Sequence, residues 1–146
     1  MNEIYEFTKV HAYAENPTNH SVSFDTDNGK KILIQIDEPE NSVVQFVRRA
    51  IAEDKVIFVA YDFATGLCRF AVPFTKDYVR SIEFKHKLPQ VLEVTLLLRP
   101  SYLFLSTTHP RFRELQKILE DAKGKEQLVW VGTFPGDSNI LDVRLP

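Results

Sequence analysis

Two segments in which apolar residues recur at helical spacing constrain the fold most strongly, because strand-like alternation surrounds both of them. The first covers about residues 42–54, and the second covers 109–124. Shifting the first segment by 68 positions places its apolar residues on those of the second: Val44 on Phe112, Val47 on Leu115, Ala50 on Ile118 and Ile51 on Leu119. The sequence therefore predicts two helices at corresponding places in two halves of the chain.

Short local patterns predict one turn and one helix start. Asn28-Gly29 lies between two alternating runs, and this dipeptide is typical of a type I′ turn in a hairpin. Ser42 is followed three residues later by Gln45, a spacing that predicts a capping box at the start of the first helix.

The stretch VIFVAYDFATGLCRF, residues 56–70, predicts a second hairpin. Asp62 is expected to accept hydrogen bonds from the turn amides, and Gly66 is expected to take a positive φ. Cys68 corresponds to Leu141 when the halves are compared, so we interpret its thiol as core packing rather than as a catalytic nucleophile.

The fold class follows from the succession of these elements. Each half runs strand, strand, strand, helix, strand, strand, which predicts an α+β protein of two similar strand-rich units (β-β-β-α-β-β each) with mostly antiparallel sheet or partly open barrels. Units of about 70 residues are marginal alone, so we expect one shared core and a single compact domain, 1–146, with an internal pseudo-repeat of 1–76 and 77–146. Gene duplication is one hypothesis, and one α+β domain with a continuous sheet is the alternative.

Composition and charge restrict the environment of the chain. Hydrophobic residues make up 44% of the 146 residues, enough for a packed core, and the net charge of −2 provides no overall basic field. The single cysteine excludes an intrachain disulfide, and the N-terminal stretch has no apolar signal segment. The longest near-apolar run is interrupted by Arg99 and Pro100. We therefore expect a cytoplasmic protein that has no membrane partner.

Motifs that carry catalysis or cofactors are not recognisable in the sequence. The four histidines are far apart, no glycine-rich phosphate loop occurs, and we expect neither a metal nor a cofactor. Acid–base chemistry needs two carboxylates that meet only in the fold, so an enzyme stays open but is not favoured. The candidate carboxylates are Asp62, Glu83, Glu93 and Asp142.

Nucleic-acid binding is the main alternative to a protein-interaction role. An oligonucleotide-binding-type barrel has the same order of elements, which is three strands, one helix and two strands. The comparison is an analogy of strand order only. The candidate nucleic-acid-binding residues are Arg80, Lys85, His86 and Lys87. Strict alternation would place Arg80 with Ile82 and Phe84 on one face and the lysines on the other, which separates the aromatic ring from the lysines.

Three hypotheses about the function of the protein follow from these observations. The favoured hypothesis is a non-enzymatic protein–protein interaction or assembly module, with self-association as a homodimer, because several strands are apolar enough to need a partner. The second hypothesis is a protein that binds single-stranded nucleic acid. The third is a small-molecule sensor or enzyme with a site between the two units, for which Asp62, Arg99 and His109 are the pocket candidates.

Overall fold

The computed structural model describes residues 2–36, 41–85, 88–99 and 101–146, and for 85, 88 and 89 it describes the backbone alone. Contacts along the chain divide it into two compact units, Met1–Pro73 and Phe74–Pro146. The boundary lies three residues before the one predicted for the two halves.

In its described residues, unit 1 contains six strands and one helix, and all strand pairs within its two sheets are antiparallel. Its sheets have the orders β1-β5-β6 and β2-β3-β4. The elements are β1 (Glu3–Thr8), β2 (Val10–Asn16), β3 (Ser21–Thr26), β4 (Lys31–Gln35), α1 (Ser42–Ala52), β5 (Ile57–Asp62) and β6 (Cys68–Val72).

The described part of unit 2 contains one helix and five strands, which form one antiparallel sheet of order β11-β10-β7-β8-β9. The elements are β7 (Thr75–Lys85), β8 (Leu88–Leu96), β9 (Tyr102–Ser106), α2 (Phe112–Gly124), β10 (Leu128–Thr133) and β11 (Ile140–Arg144).

One parallel bridge in each unit links the strand before the helix to the start of the last hairpin strand. In unit 1 it joins Leu33 to Leu67, and in unit 2 it joins Phe104 to Asn139. The predicted α+β class with mostly antiparallel sheet is confirmed, and the sheets form no closed barrel.

Most buried apolar side chains belong to two clusters, each made of residues from one unit, and the predicted shared core stays a prediction. Each helix buries its apolar stripe among residues of its own unit. The stripe consists of Val44, Val47 and Ala50 in α1 and of Leu115, Leu119 and Ala122 in α2. In the described part of the chain, no helix is long and apolar enough to cross a membrane.

Two local predictions were wrong for identifiable reasons. The first hairpin has a four-residue loop, 27–30, in which Gly29 has φ +77° but Asn28 does not have a positive φ, so the turn is not type I′. The predicted capping box is also wrong, because Asn41, and not Ser42, is the N-cap residue. Its side-chain oxygen accepts from the backbone N–H groups of Val43 and Val44 at 2.9 and 3.2 Å.

The second predicted turn is confirmed in detail. Asp62 Oδ1 accepts from the backbone N–H and the hydroxyl of Thr65, at 2.9 and 3.1 Å. Gly66 has φ +73°. Cys68 is half-buried against the core of unit 1, and burial raises the pKa of its thiol to about 12, which suits packing and not nucleophilic chemistry.

Replacing Asn41 by alanine tests the position of the helix cap. The Asn41→Ala variant leaves two backbone N–H groups of α1 without their acceptor, and we expect it to lower the free energy of unfolding by about 1 kcal/mol in denaturant titrations. Ser42→Ala is the matched control, because Ser42 is exposed in the first turn, and it should change stability by less than about 0.5 kcal/mol. A larger loss in the Ser42 variant would contradict this assignment.

Candidate nucleic-acid interface

The alternation of β7 determines which of its side chains face solvent. Asp77 and Val79 are buried, whereas Lys76 and Arg80 are exposed and Tyr78 is half-buried between them. Successive side chains of a strand point to opposite faces. The outward row of β7 is therefore basic, aromatic and basic.

The register of neighbouring strands adds an aromatic ring and a third cation to this row. Trp130 of β10 lies directly opposite Lys76, and on its other side it lies opposite Arg144 of β11. Leu128 lies opposite Tyr78. Together with Phe74, which directly precedes β7, these side chains form a surface that we call the β7 face: Phe74, Lys76, Tyr78, Arg80, Leu128, Trp130 and Arg144.

Rings and cations of the β7 face contact one another closely. The ring centroids of Phe74 and Trp130 are 5.0 Å apart with planes inclined by 46°. Lys76 Nζ lies 5.5 Å from each of these two centroids. The guanidinium carbon of Arg144 lies 5.9 Å from the Trp130 centroid. These are cation–π distances, so the two cations are held next to the aromatic rings.

The β7 face is locally positive although the chain as a whole is slightly acidic. Its seven residues include three cations and no carboxylate. The carboxylate nearest along β7, Asp77, points into the unit and is fully buried. Asp142 of β11 is paired with Arg111, whose Nη1 donates to its Oδ1 at 3.0 Å. Charge on this surface is therefore suited to an anionic ligand.

Asp77 fastens the β8–β9 turn to β7. Its carboxylate accepts from the backbone N–H groups of Leu98 and Arg99, at 2.9 Å each, and from that of Tyr78 at 2.6 Å. Burial by itself would raise the pKa of Asp77, but these backbone donors outweigh burial and hold the pKa below its ordinary value. The turn is thus fixed by an ionised carboxylate inside the unit.

This turn also ends the alternation of the apolar strand that precedes it. Strict alternation would place Leu98 on the same face as Leu92, Val94 and Leu96, and those three residues are buried. Leu98 is instead 65% exposed, because β8 ends at Leu96 and the chain turns toward Asp77.

An open depression of about 550 Å³ lies along one edge of the β7 face. Its lining residues are Tyr78, Val79, Arg80, Leu97, Lys123 and Glu126. Arg80 and Lys123 give this depression two cations against one carboxylate, so it continues the positive character of the face.

A second polar cluster lies at the start of α2. Arg111 makes two bonds of 2.9 Å to the Glu114 carboxylate and a third to Asp142. His109 Nε2 lies 2.8 Å from the Leu141 carbonyl, and its Nδ1 accepts from the Arg111 N–H at 3.0 Å, which assigns a neutral imidazole protonated at Nε2.

Charge within this cluster is compensated. Burial raises the pKa of Asp142, and Arg111 acts against that rise. Hydrogen bonds with Glu114 raise the pKa of Arg111 in turn. The arrangement stabilises the start of α2 through the contacts of Arg111 with Glu114 and Asp142.

The predicted nucleic-acid-binding residues are only partly within the described structure. Arg80 lies on the β7 face at a β-bulge between Val79 and Ser81. This bulge breaks the strict alternation, so Arg80 is exposed whereas Ile82 packs against the core, and the prediction that the two share a face is wrong. For Lys85 the backbone alone is described, and His86 and Lys87 lie outside the described residues.

The three pocket candidates have separate structural roles. Asp62 holds its own turn in unit 1, Arg99 lies in the β8–β9 turn of unit 2, and His109 precedes α2. The hypothesis of a sensor or enzyme site between the units stays a prediction, as does the cytoplasmic location. Of the candidate carboxylates, Glu83 and Glu93 lie directly opposite each other on β7 and β8, with Glu83 exposed and Glu93 buried.

Most residues of the β7 face were missed in the sequence because they come from three distant segments. Cross-strand register brings these segments together. They contribute Phe74 and Lys76, then Trp130, and finally Arg144. The alternation of Lys76, Tyr78 and Arg80 was the one local signal that could have indicated an exposed aromatic and basic strand.

Comparison with known proteins finds no matching family model, no matching curated protein and no matching solved structure. Among the residues that the structure describes, no group of three or more His, Cys, Asp or Glu side chains is arranged to hold a metal ion.

Substitution of Asp77 tests whether the turn depends on its carboxylate. Asp77→Ala leaves three backbone N–H groups without their charged acceptor, and we expect it to lower the free energy of unfolding by about 3 kcal/mol or more. Because the folded pKa lies below the ordinary value, the contribution of the carboxylate is present at neutral pH and is lost as pH falls below about 4. Denaturant titrations at several pH values should therefore show that the difference in unfolding free energy between the wild type and Asp77→Ala decreases in acid.

Asp121→Ala, at an exposed position of α2, is the matched control and should be near neutral. A loss that is equally large for the Asp77 variant at pH 3 and at pH 7 would contradict the role of the ionised carboxylate.

Proposed function

We propose that this protein is a non-enzymatic binding module and that single-stranded nucleic acid binds to the β7 face. The observation that carries the proposal is the group of Trp130, Phe74, Lys76 and Arg144, in which two rings and two cations are in contact. Proteins that bind single strands combine exposed aromatic platforms, on which bases stack, with cations that follow the phosphates.

On binding, the cations of the β7 face would exchange their contacts with the aromatic rings for contacts with phosphates. Lys76 and Arg144 lie against the rings at cation–π distances, and both are long side chains with exposed ends. A base that stacks on Trp130 or Phe74 takes their place on the ring, while the two cations pair with the flanking phosphates. Arg80, about 13 Å along β7 from Lys76 at ~3.3 Å per residue, extends the contact to a further phosphate.

The strand order of each unit supports this proposal. We propose that both units are partly open barrels of the oligonucleotide-binding type and that they arose by duplication. Unit 2 has the order 3-2-1-4-5 with a parallel bridge from its third to its fifth strand, and unit 1 has the same order if β1 and β2, separated by Lys9 alone, count as one strand. Strand order by itself is an analogy, so the side chains of the β7 face carry the function.

Loss of the indole tests the proposed stacking platform. Trp130→Leu keeps an apolar side chain but removes the large ring, and base stacking on an aromatic side chain is worth about 1–3 kcal/mol. We expect the affinity for a labelled oligothymidylate, measured by fluorescence anisotropy, to fall roughly 5- to 150-fold. Trp130 is half-buried, and Phe84→Leu, at an exposed aromatic position of unit 2, is the control and should bind as the wild type does.

Salt dependence tests the cations separately from the rings. Each phosphate contact contributes about 0.7 to the slope of log K against log salt for a single strand. We expect Lys76→Gln and Arg144→Gln each to reduce that slope by about 0.7, whereas Lys117→Gln, at an exposed position of α2, leaves it unchanged. Equal effects of all three lysine and arginine variants would contradict a localised site.

A second candidate function, self-association as an assembly module, is favoured by a different surface. Leu97, Leu98 and Tyr102 are 54%, 65% and 62% exposed around the β8–β9 turn. Apolar side chains on a turn that is already fixed lose little conformational entropy on binding, which favours an interface. The proposed occupant is a second copy of this chain.

Leu98→Asp tests this candidate without disturbing the core, because Leu98 is mostly exposed. If the turn mediates a homodimer, sedimentation equilibrium should show a dimer for the wild type and a monomer for the variant. Leu145→Asp, at a position that is 38% exposed on the C-terminal side of β11, is the control and should keep the wild-type mass. A wild type that is monomeric throughout would contradict self-association.

A further inference from the structure

The loop between β5 and β6 of unit 1 presents two apolar side chains to solvent. Phe63 is 57% exposed and Leu67 is 45% exposed. Neither belongs to the core cluster of unit 1, so burial within the unit does not account for them.

One lysine contacts the exposed phenylalanine ring, and a second lysine follows it in the chain. Lys30 Nζ lies 5.0 Å from the Phe63 ring centroid, and it also donates to the Phe63 carbonyl oxygen at 2.9 Å. Lys31, the next residue, is exposed at the start of β4. A ring with one ammonium group above it is thus held at this edge of the unit, and a second, exposed lysine follows directly in the chain.

The loop is held in place by several contacts of its own backbone. Asp62 accepts from the N–H and hydroxyl of Thr65, as described above, and Leu33 N–H donates to the Gly66 carbonyl at 2.8 Å. Gly66 also lies so close to β4 that an added Cβ would come within 2.7 Å of the Lys31 carbonyl oxygen. The backbone of the loop and the start of β4 are therefore held against each other before any ligand arrives.

Two carboxylates lie near these groups. Asp25 is the cross-strand partner of Lys31, and Asp62 directs an oxygen toward the amide of its own loop. The hydrogen bonds from Thr65 hold the pKa of Asp62 below its ordinary value. Lys30 lies over the ring, so the cation that contacts Phe63 is distinct from the one that faces Asp25.

We infer that unit 1 carries a second nucleotide-binding site, in which a base stacks on Phe63 and the attached phosphate pairs with Lys30 and Lys31. Leu67 is a second exposed apolar side chain of the same loop. The inference rests on the proposed function for the class of ligand, but its residues belong to the other unit. The shared chemistry is an aromatic base with a phosphate, which a single strand or a free nucleotide can supply.

Amide chemical shifts of the full chain, measured by NMR during titration, test the second site. With a short oligothymidylate, we expect the amides of 30–33 and 63–67 to shift in addition to those near Lys76 and Trp130. Phe63→Leu should weaken the response at the loop at least about fivefold and leave the response of the β7 face unchanged. Trp130→Leu should do the reverse, and Phe84→Leu should alter neither.

Thymidine monophosphate forms the second arm of the titration. Saturation of the loop by the mononucleotide at the same concentration as by the oligomer would support the site and identify a free nucleotide as its ligand, whereas tighter binding of the oligomer would support a strand. Shifts confined to the β7 face would overturn the second site while leaving the proposed function intact. Shifts at neither surface would overturn both.

Discussion

The register between β7 and β10 is the constraint on which the account of unit 2 depends. Val129 and Val131 are buried in the core, and their cross-strand partners Asp77 and Thr75 must then point inward as well. This leaves Trp130 on the outer face beside Lys76. A shift of one residue would bury the indole and expose the valines, so the hydrophobic core itself fixes the aromatic and basic surface outside it.

Aromatic side chains have different surroundings in the two units. Strands β1, β5 and β6 of unit 1 direct alternate side chains into the core cluster of that unit. The side chains between them include the rings of Tyr5, Phe7, Phe58 and Phe70. Phe58 is fully buried, with the Phe7 centroid 4.9 Å from its own. In unit 2, strands β7, β10 and β11 carry cations next to the indole. In unit 1, an exposed ring with a lysine above it occurs instead at Phe63 and Lys30.

Sequence periodicity was sufficient to predict the elements that are stabilised by their own apolar stripe. It was insufficient to predict features whose position depends on contacts between distant segments. Both helices lie where apolar spacing predicts them, and Asp62 and Gly66 form the expected turn because those preferences are local. The cap at Asn41 was missed because Asn41 and Ser42 are both favourable N-cap residues, and spacing alone selected the wrong one of the two. The bulge at Arg80 could not be predicted because it depends on the pairing of β7 with β8. The β7 face needed cross-strand register, because Lys76, Trp130 and Arg144 are far apart in the chain.

The fluorescence of Trp130 offers the most direct measurement of the central claim, because this is the only tryptophan in the chain. If bases stack on the β7 face, titration with a single-stranded oligonucleotide should quench the indole emission in a saturable manner, and added salt should restore it. Emission that does not change while an independent assay shows the oligonucleotide bound, or the absence of any binding at low salt, would contradict the account.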